Sequence, residues 1–260
     1  MIEIKEKDRN KIQHLFQSME DSMILSCLQG HMGRAWTDNM EEPKVALIQM
    51  DCFCFIAGED NSEVMMQLIA QILDLPKMRM AYIIAQNRKI GELVEVHYRD
   101  RCKKIQRYSI KKRMAEFDLN YLRAIVNSLP KEYTLHPIDD TWYQEAVKED
   151  WSCDFVSNFR SKADYLERGI GRVIVHDGKI VSGASSYTVY DDGIEIEIDT
   201  REEYRRQGLA TVAGAALILD CREKGLYPCW DAANMMSVHL AEKLGYEFKE
   251  AYDTFVIRTF

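Results

Sequence analysis

Three carboxylates alternate along one short stretch: Glu195, Glu197 and Asp199, with Ile194, Ile196 and Ile198 between them. In a strand that spacing puts the acids on one face and the isoleucines on the other. Close carboxylates raise one another's pKa, which suits a group that takes a proton near neutral pH. A solvated acidic strand face would show the same pattern, and both readings stay open at this point. Directly afterwards comes Arg205-Arg206-Gln207-Gly208-Leu209-Ala210-Thr211, a loop that opens a helix. The first turn of a helix carries free N–H groups and the positive end of its dipole. Gly208 lets an anion approach the backbone, and Arg205 and Arg206 supply countercharge, so the segment suits a pyrophosphate. A third pattern follows: Asn234 at the end of a strand, Ser237, then Glu242-Lys243-Leu244-Gly245-Tyr246-Glu247-Phe248.

Other chemistries find little support. The six His are scattered, with no H-E-x-x-H, so no metal site is expected. Gly169-Ile170-Gly171 lacks the third glycine of a dinucleotide loop and precedes a strand. Gly183-Ala184-Ser185-Ser186 is not a nucleophile elbow. None of the seven Cys stands in C-x-x-C spacing, so reduced thiols in a cytoplasmic protein are expected. No run of 18 apolar residues reads as a membrane span, and MIEIKEKDRNK has no signal-peptide core.

Positioning those residues requires ordered elements, and 260 residues with 47% hydrophobic and 29% charged content suit two globular domains. The boundary is placed at Glu116–Asn120, giving domains 1–118 and 119–260. The first holds 18 basic and 18 acidic side chains, the second 16 and 24, so the net −8 belongs to the second. That charge favours cationic substrates or simply keeps the domain soluble, two readings that stay open here, and it argues against nucleic acid. Tyr98–Arg113 carries eight Lys/Arg, read here as a solvated edge rather than an RNA surface.

In the first part, KDRNKIQHLFQSM has helical spacing at Ile12, Leu15, Phe16 and Met19. VALIQM and FCFIAG read as paired strands turning near Asp51, and NSEVMMQLIAQILDLP as a helix capped by Asn61 or Ser62 and closed before Pro76. MAYIIAQ is a strand, and GELVEVHYRDRCKK begins as a helix. In the second part, YTLHPI is a strand, Asp139 or Asp140 starts a helix, and SKADYLERG is a helix capped by Ser161 and stopped by Gly169. Three antiparallel strands follow, turning at Asp177-Gly178 and at Asp191-Asp192-Gly193. Then come the loop and long helix, the strand LYPCWDA, the helix ANMMSVHLAEKLGY and closing strands. The expected class is α+β.

At Arg205–Ala210 the sequence resembles the GNAT superfamily of acetyl-CoA-dependent N-acetyltransferases, whose phosphate loop is written Q/R-x-x-G-x-G/A. Asn234, Ser237 and Glu242–Phe248 fit a second signature of that family. The resemblance covers roughly 120–260, and WDAAN…S…LAEKLGYEF looks like a bacterial subgroup related to zwittermicin A resistance acetyltransferases. It implies a splayed mixed β-sheet flanked by helices; the first domain is read as a smaller α/β unit and as a degenerate copy of that fold. It further implies that backbone groups of Ile198, Asp199 and Thr200 hold pantetheine like an added strand. Arg205, Arg206, Gln207, Gly208, Leu209, Ala210 and Thr211 would hold the pyrophosphate, with Asn234 and Ser237 lining the cofactor channel.

The implied reaction is direct attack of a primary amine, on a small molecule or peptide, upon the acetyl thioester. An amine of pKa near 10 costs about 4 kcal/mol to deprotonate at pH 7, and Glu195 or Glu197 is the expected base. Many family members have a Tyr acid seven residues after the Asn; here that position is Ala241. Tyr246 is read as packing, with Tyr252 and His239 as weaker acid candidates. A coenzyme A or acyl-CoA sensor with little turnover is the alternative. The first domain would wall the acceptor site or mediate a homodimer.

Overall fold

The computed structural model describes residues 1–60, 63–75, 78–112 and 117–258. The expected caps Asn61 and Ser62, the stop Pro76, and Arg113 and Glu116 at the expected boundary lie outside them. Packing divides the chain into two compact units, Met1–Arg107 with Ala251–Phe260, and Tyr108–Glu250.

The first unit holds β1 (Ile2–Ile4), α1 (Ser22–Leu28), β2 (Arg34–Thr37), β3 (Val45–Met50), β4 (Phe53–Gly58), α2 (Glu63–Ala70), β5 (Met80–Ala85), α3 (Arg88–Tyr98) and the start of β6 (Cys102–Ile110). Between β1 and α1, Glu6–Phe16 is a 3-10 helix rather than the expected α-helix, yet Ile12 and Phe16 are buried as their spacing requires. The turn at Asp51 is real, with φ +48. Strands β1 to β4 are antiparallel neighbours in chain order, and β5 joins β4 in parallel. Asn87 caps α3 by accepting from the Ile90 N–H at 3.1 Å. Met65, Leu68, Ile83, Ile90 and Val94 are among the side chains that close the core.

The second unit holds α4 (Leu119–Asn127), β7 (Thr134–Pro137), α5 (Asp140–Ala146), α6 (Asp150–Cys153), α7 (Lys162–Arg168), β8 (Gly171–His176), β9 (Lys179–Tyr190), β10 (Gly193–Thr200), α8 (Leu209–Glu223), β11 (Tyr227–Cys229), β12 (Asp231–Ala232), α9 (Met235–Lys243) and the start of β13 (Phe248–Arg258). Its sheet runs β11-β10-β9-β8-β7. Asp139 and Ser161 cap α5 and α7 as their positions require. Asp177 and Gly178 both have positive φ, the demand of a two-residue hairpin turn. Gly169 ends α7 in extended rather than left-handed backbone, and what requires a glycine there is space, since a Cβ would meet the Tyr165 ring at 2.6 Å.

The expected strand LYPCWDA is two strands. β11 pairs with β10, whereas β12 pairs with Tyr108 and Ser109 of β6, so the chain changes sheets at Trp230. The basic stretch 98–113 does not form one charged face among the described residues. Lys104 pairs with Asp253 at 2.6 Å, Lys111 with Glu247, and buried Arg107 lies over the Phe53 ring at 4.9 Å.

Candidate active site

Helix α8 packs against the central strands of the second unit. Its small residues permit that approach: a methyl at Gly214 would come within 2.8 Å of Leu244 Cδ1 and 3.3 Å of Ile198 Cδ1. The isoleucine face of β10 therefore meets α8, and the carboxylate face points the other way. On that opposite side Phe155 abuts Gly183, and Tyr165 bonds Ser185 Oγ at 2.9 Å. Arg172 and Asp220 pair through two hydrogen bonds, the longer 2.7 Å, tying β8 to α8.

Strands β10 and β11 part company. Their parallel register runs Gly193↔Tyr227, Ile194↔Pro228 and Glu195↔Cys229, while β10 continues to Thr200 against β9. At the same point the β9–β10 register slips, between Glu195 and Ile196. The extra residue is Tyr187 of β9, whose carbonyl accepts from Asn158 Nδ2 at 3.1 Å. Such a bulge increases local twist and turns β10 away from its neighbour.

Beyond the parting lies a cleft of about 340 Å³ lined by Ile198, Asp199, Thr200, Arg205, Arg206, Gly208, Leu209, Ala210 and Thr211, together with Tyr204, Met236 and Leu240. Nine of the residues singled out from sequence thus meet on one surface. Gly208 caps α8 at φ +82, and a Cβ there would meet nothing within 4 Å. That empty space above a bare helix N-terminus is what an anion needs. Arg206 is also left-handed, at φ +63. Arg205 Nε donates to the Thr200 carbonyl at 2.9 Å, and its guanidinium lies 3.5 Å from Asp199 Oδ1.

Three further expected cofactor residues do not line this cleft. Gln207 accepts from the Tyr133 hydroxyl at 2.8 Å and does not line the cleft. Asn234 caps α9 by accepting from the Ser237 N–H at 3.0 Å, and Ser237 Oγ accepts from Trp230 Nε1 at 3.0 Å. Asp199 turns its carbonyl toward β9, where Ser182 Oγ donates to it at 3.1 Å. Its contribution to the cleft is therefore its side chain.

Sequence reasoning missed Tyr204, Met236 and Leu240. Met236 and Leu240 stand four apart on α9, a helical spacing that marks one face. Tyr204 carries no such signal; its hydroxyl meets His176 Nδ1 at 3.1 Å, bracing the loop.

The two candidate bases differ. Glu195 is 5% exposed and accepts from the Asp231 N–H at 2.7 Å. Glu197 is half-buried and stands opposite Ser185. Burial pushes the Cys229 thiol up to about 12, with the Glu195 charge adding to it. Burial likewise raises Tyr190, whose hydroxyl is 3.3 Å from Cys229 Sγ. Ala241 is fully buried and offers no proton. Tyr246 is also buried, its hydroxyl donating to the Pro228 carbonyl at 2.7 Å, so it packs as expected. Among the described residues no group of three or more His, Cys, Asp or Glu could hold a metal ion, and no helix is long and apolar enough to cross a membrane.

A family profile described as GNAT acetyltransferase matches residues 13–255. The chain is 27% identical over 189 residues to an uncharacterized N-acetyltransferase, YdfB, of Bacillus subtilis (strain 168), covering 64% of this chain and 72% of that one. A crystal structure of a GCN5-related N-acetyltransferase-like protein from Streptococcus suis 89/1591 superposes with a TM-score of 0.88 at 37% identity, covering 98% of this chain and 100% of that one. A tandem GNAT protein from the clavulanic acid biosynthesis pathway shares the fold, with a TM-score of 0.53 at 12% identity over 99% of this chain and 97% of that one. A parting parallel strand pair, a glycine-opened helix and these relatives agree: the chain belongs to the GNAT acetyltransferase family and is an acyltransferase.

Proposed function

We propose that the second unit binds acetyl-CoA in the cleft beside β10 and α8 and acetylates a primary amine of a small molecule or peptide. The observation that carries this reading is Gly208: left-handed, at the start of α8, with open space where a side chain would stand. Acetyl-CoA, when bound, supplies the acyl thioester. The N–H groups of Gly208, Leu209 and Ala210 would hold its pyrophosphate, with Arg206 as countercharge. Ladder alternation turns the backbone of Ile196 and Ile198 toward the gap, where they would hold the pantetheine amides. Glu197, the less buried carboxylate, would accept the proton of the attacking amine.

The net −8 of the second domain suits a cationic acceptor. A reducing cytoplasm suits seven free cysteines. The first unit is read as a degenerate copy of the fold, supported by its matching strand order, and as a site of dimerisation. Ala241 favours one second reading, an acyl-CoA sensor with little turnover.

Calorimetric titration with acetyl-CoA, with dephospho-CoA as control, tests the cleft: micromolar binding is expected. Glu197→Gln should then lower kcat at pH 7 by about 100-fold, with coenzyme affinity kept. Wild-type binding without turnover on a panel of amines would favour the sensor. Absence of binding would remove both readings.

A further inference from the structure

The parallel ladders of the two units start in the same phase. In the first, the Tyr82 N–H donates to the Cys52 carbonyl at 2.8 Å; in the second, the Tyr227 N–H donates to Asp192 at 2.8 Å. A parallel ladder repeats every two residues on both strands. Four residues further on, the first unit makes the bond this repeat requires, Gln86 N–H to the Ile56 carbonyl at 2.9 Å. The corresponding bond in the second unit would join the Asp231 N–H to the Ile196 carbonyl. Instead Glu195 Oε1 takes the Asp231 N–H at 2.7 Å, and β12 goes on to pair with β6. The position matching Glu195 in the first unit is Phe55, and β4 contains no carboxylate.

From this we infer that Glu195 is a positioning residue: its carboxylate stands in for the Ile196 carbonyl, satisfies the last amide that would close the sheet, and holds the gap open for the coenzyme. The assignment rests on the acetyl-CoA reading of the cleft. It separates the two candidate carboxylates by role. Glu195 is buried and engaged with backbone, as a strut must be, whereas a base has to pass its proton to solvent. The same contact accounts for the break in the strand at Trp230. A backbone amide turned toward β10 but met by a side chain leaves its own strand free to join another partner.

The test uses the full chain and three variants. Hydrogen exchange at the Asp231 amide, measured without ligand, reads the strut itself: Glu195→Ala should speed it by about tenfold or more, and Glu195→Gln, which keeps a carbonyl acceptor, should hold it near wild type. Coenzyme A affinity should fall about tenfold in Glu195→Ala and return to within about threefold in Glu195→Gln. The bell of the pH–rate profile should keep its shape in Glu195→Gln and lose its acidic limb in Glu197→Gln. Unchanged Asp231 exchange in Glu195→Ala overturns the inference, as does a flattened pH profile in Glu195→Gln with affinity intact. Should the wild type bind no coenzyme, the acetyl-CoA reading fails while the exchange measurement still decides the strut.

Discussion

The crossover from β4 through α2 to β5 and the crossover from β10 through α8 to β11 are built on one plan, and only the second opens. The first keeps four register pairs, Phe53↔Tyr82 to Ile56↔Ala85; the second stops after three. In the second unit the segment Arg201–Gly208 joins strand to helix and carries two left-handed residues, Arg206 and Gly208. Glutamine and glutamate mark the contrast. Gln86 locks the first ladder, its side chain also accepting from the Gly58 N–H at 3.0 Å and donating to the Leu15 carbonyl at 2.6 Å. Opening a sheet forfeits ladder bonds of about 1 kcal/mol each, so it persists where a side chain or a ligand takes their place.

The sharpest way to break the comparison is at its two glycines. Gly58 has φ +125, and a Cβ there would fall 2.1 Å from the Lys44 carbonyl. Gly58→Ala should therefore cost about 3 kcal/mol or more in denaturant unfolding, while coenzyme affinity of the folded fraction stays unchanged. Gly208→Val should do the reverse: roughly 1 kcal/mol of stability for the left-handed backbone, but about 100-fold in coenzyme A affinity by calorimetry. Equal effects of the two on affinity would end the distinction between a locked and an open crossover.

A smaller effect compares the units' cores. Cys27 in the first and Cys229 in the second are both raised by burial to about 12 from 9.0. A thiol raised in the folded state contributes stability that is fully present below pH 9 and lost as pH climbs toward 12. At pH 10 each should have lost about 1.4 kcal/mol. Cys27→Ala and Cys229→Ala should each flatten the alkaline fall in melting temperature by its own share.

Much of this was legible in the sequence where the signal is local. The loop at Gly208 that opens α8, the Asp-Gly hairpin and the Asp139 and Ser161 caps follow from what those side chains and backbones can do within four residues. What escaped depends on long-range phase. Whether Ile198 or Asp199 turns its carbonyl to the gap is set by the register with β9, which no spacing within β10 reveals. Asn234 satisfies the start of α9, and Ser237 holds the Trp230 indole seven residues back, a contact that no helical or strand spacing marks. The division of LYPCWDA at Trp230 requires knowing that Glu195 meets the amide of Asp231.

Trp230 itself stands where the two strands separate, its indole bonded to Ser237 and edge-on to Tyr246 at 5.4 Å. An indole's emission follows the polarity and quenching around it. The protein therefore carries an optical probe at the fork of its sheet, next to the residues that set the fork's width and set apart from the other three tryptophans in sequence.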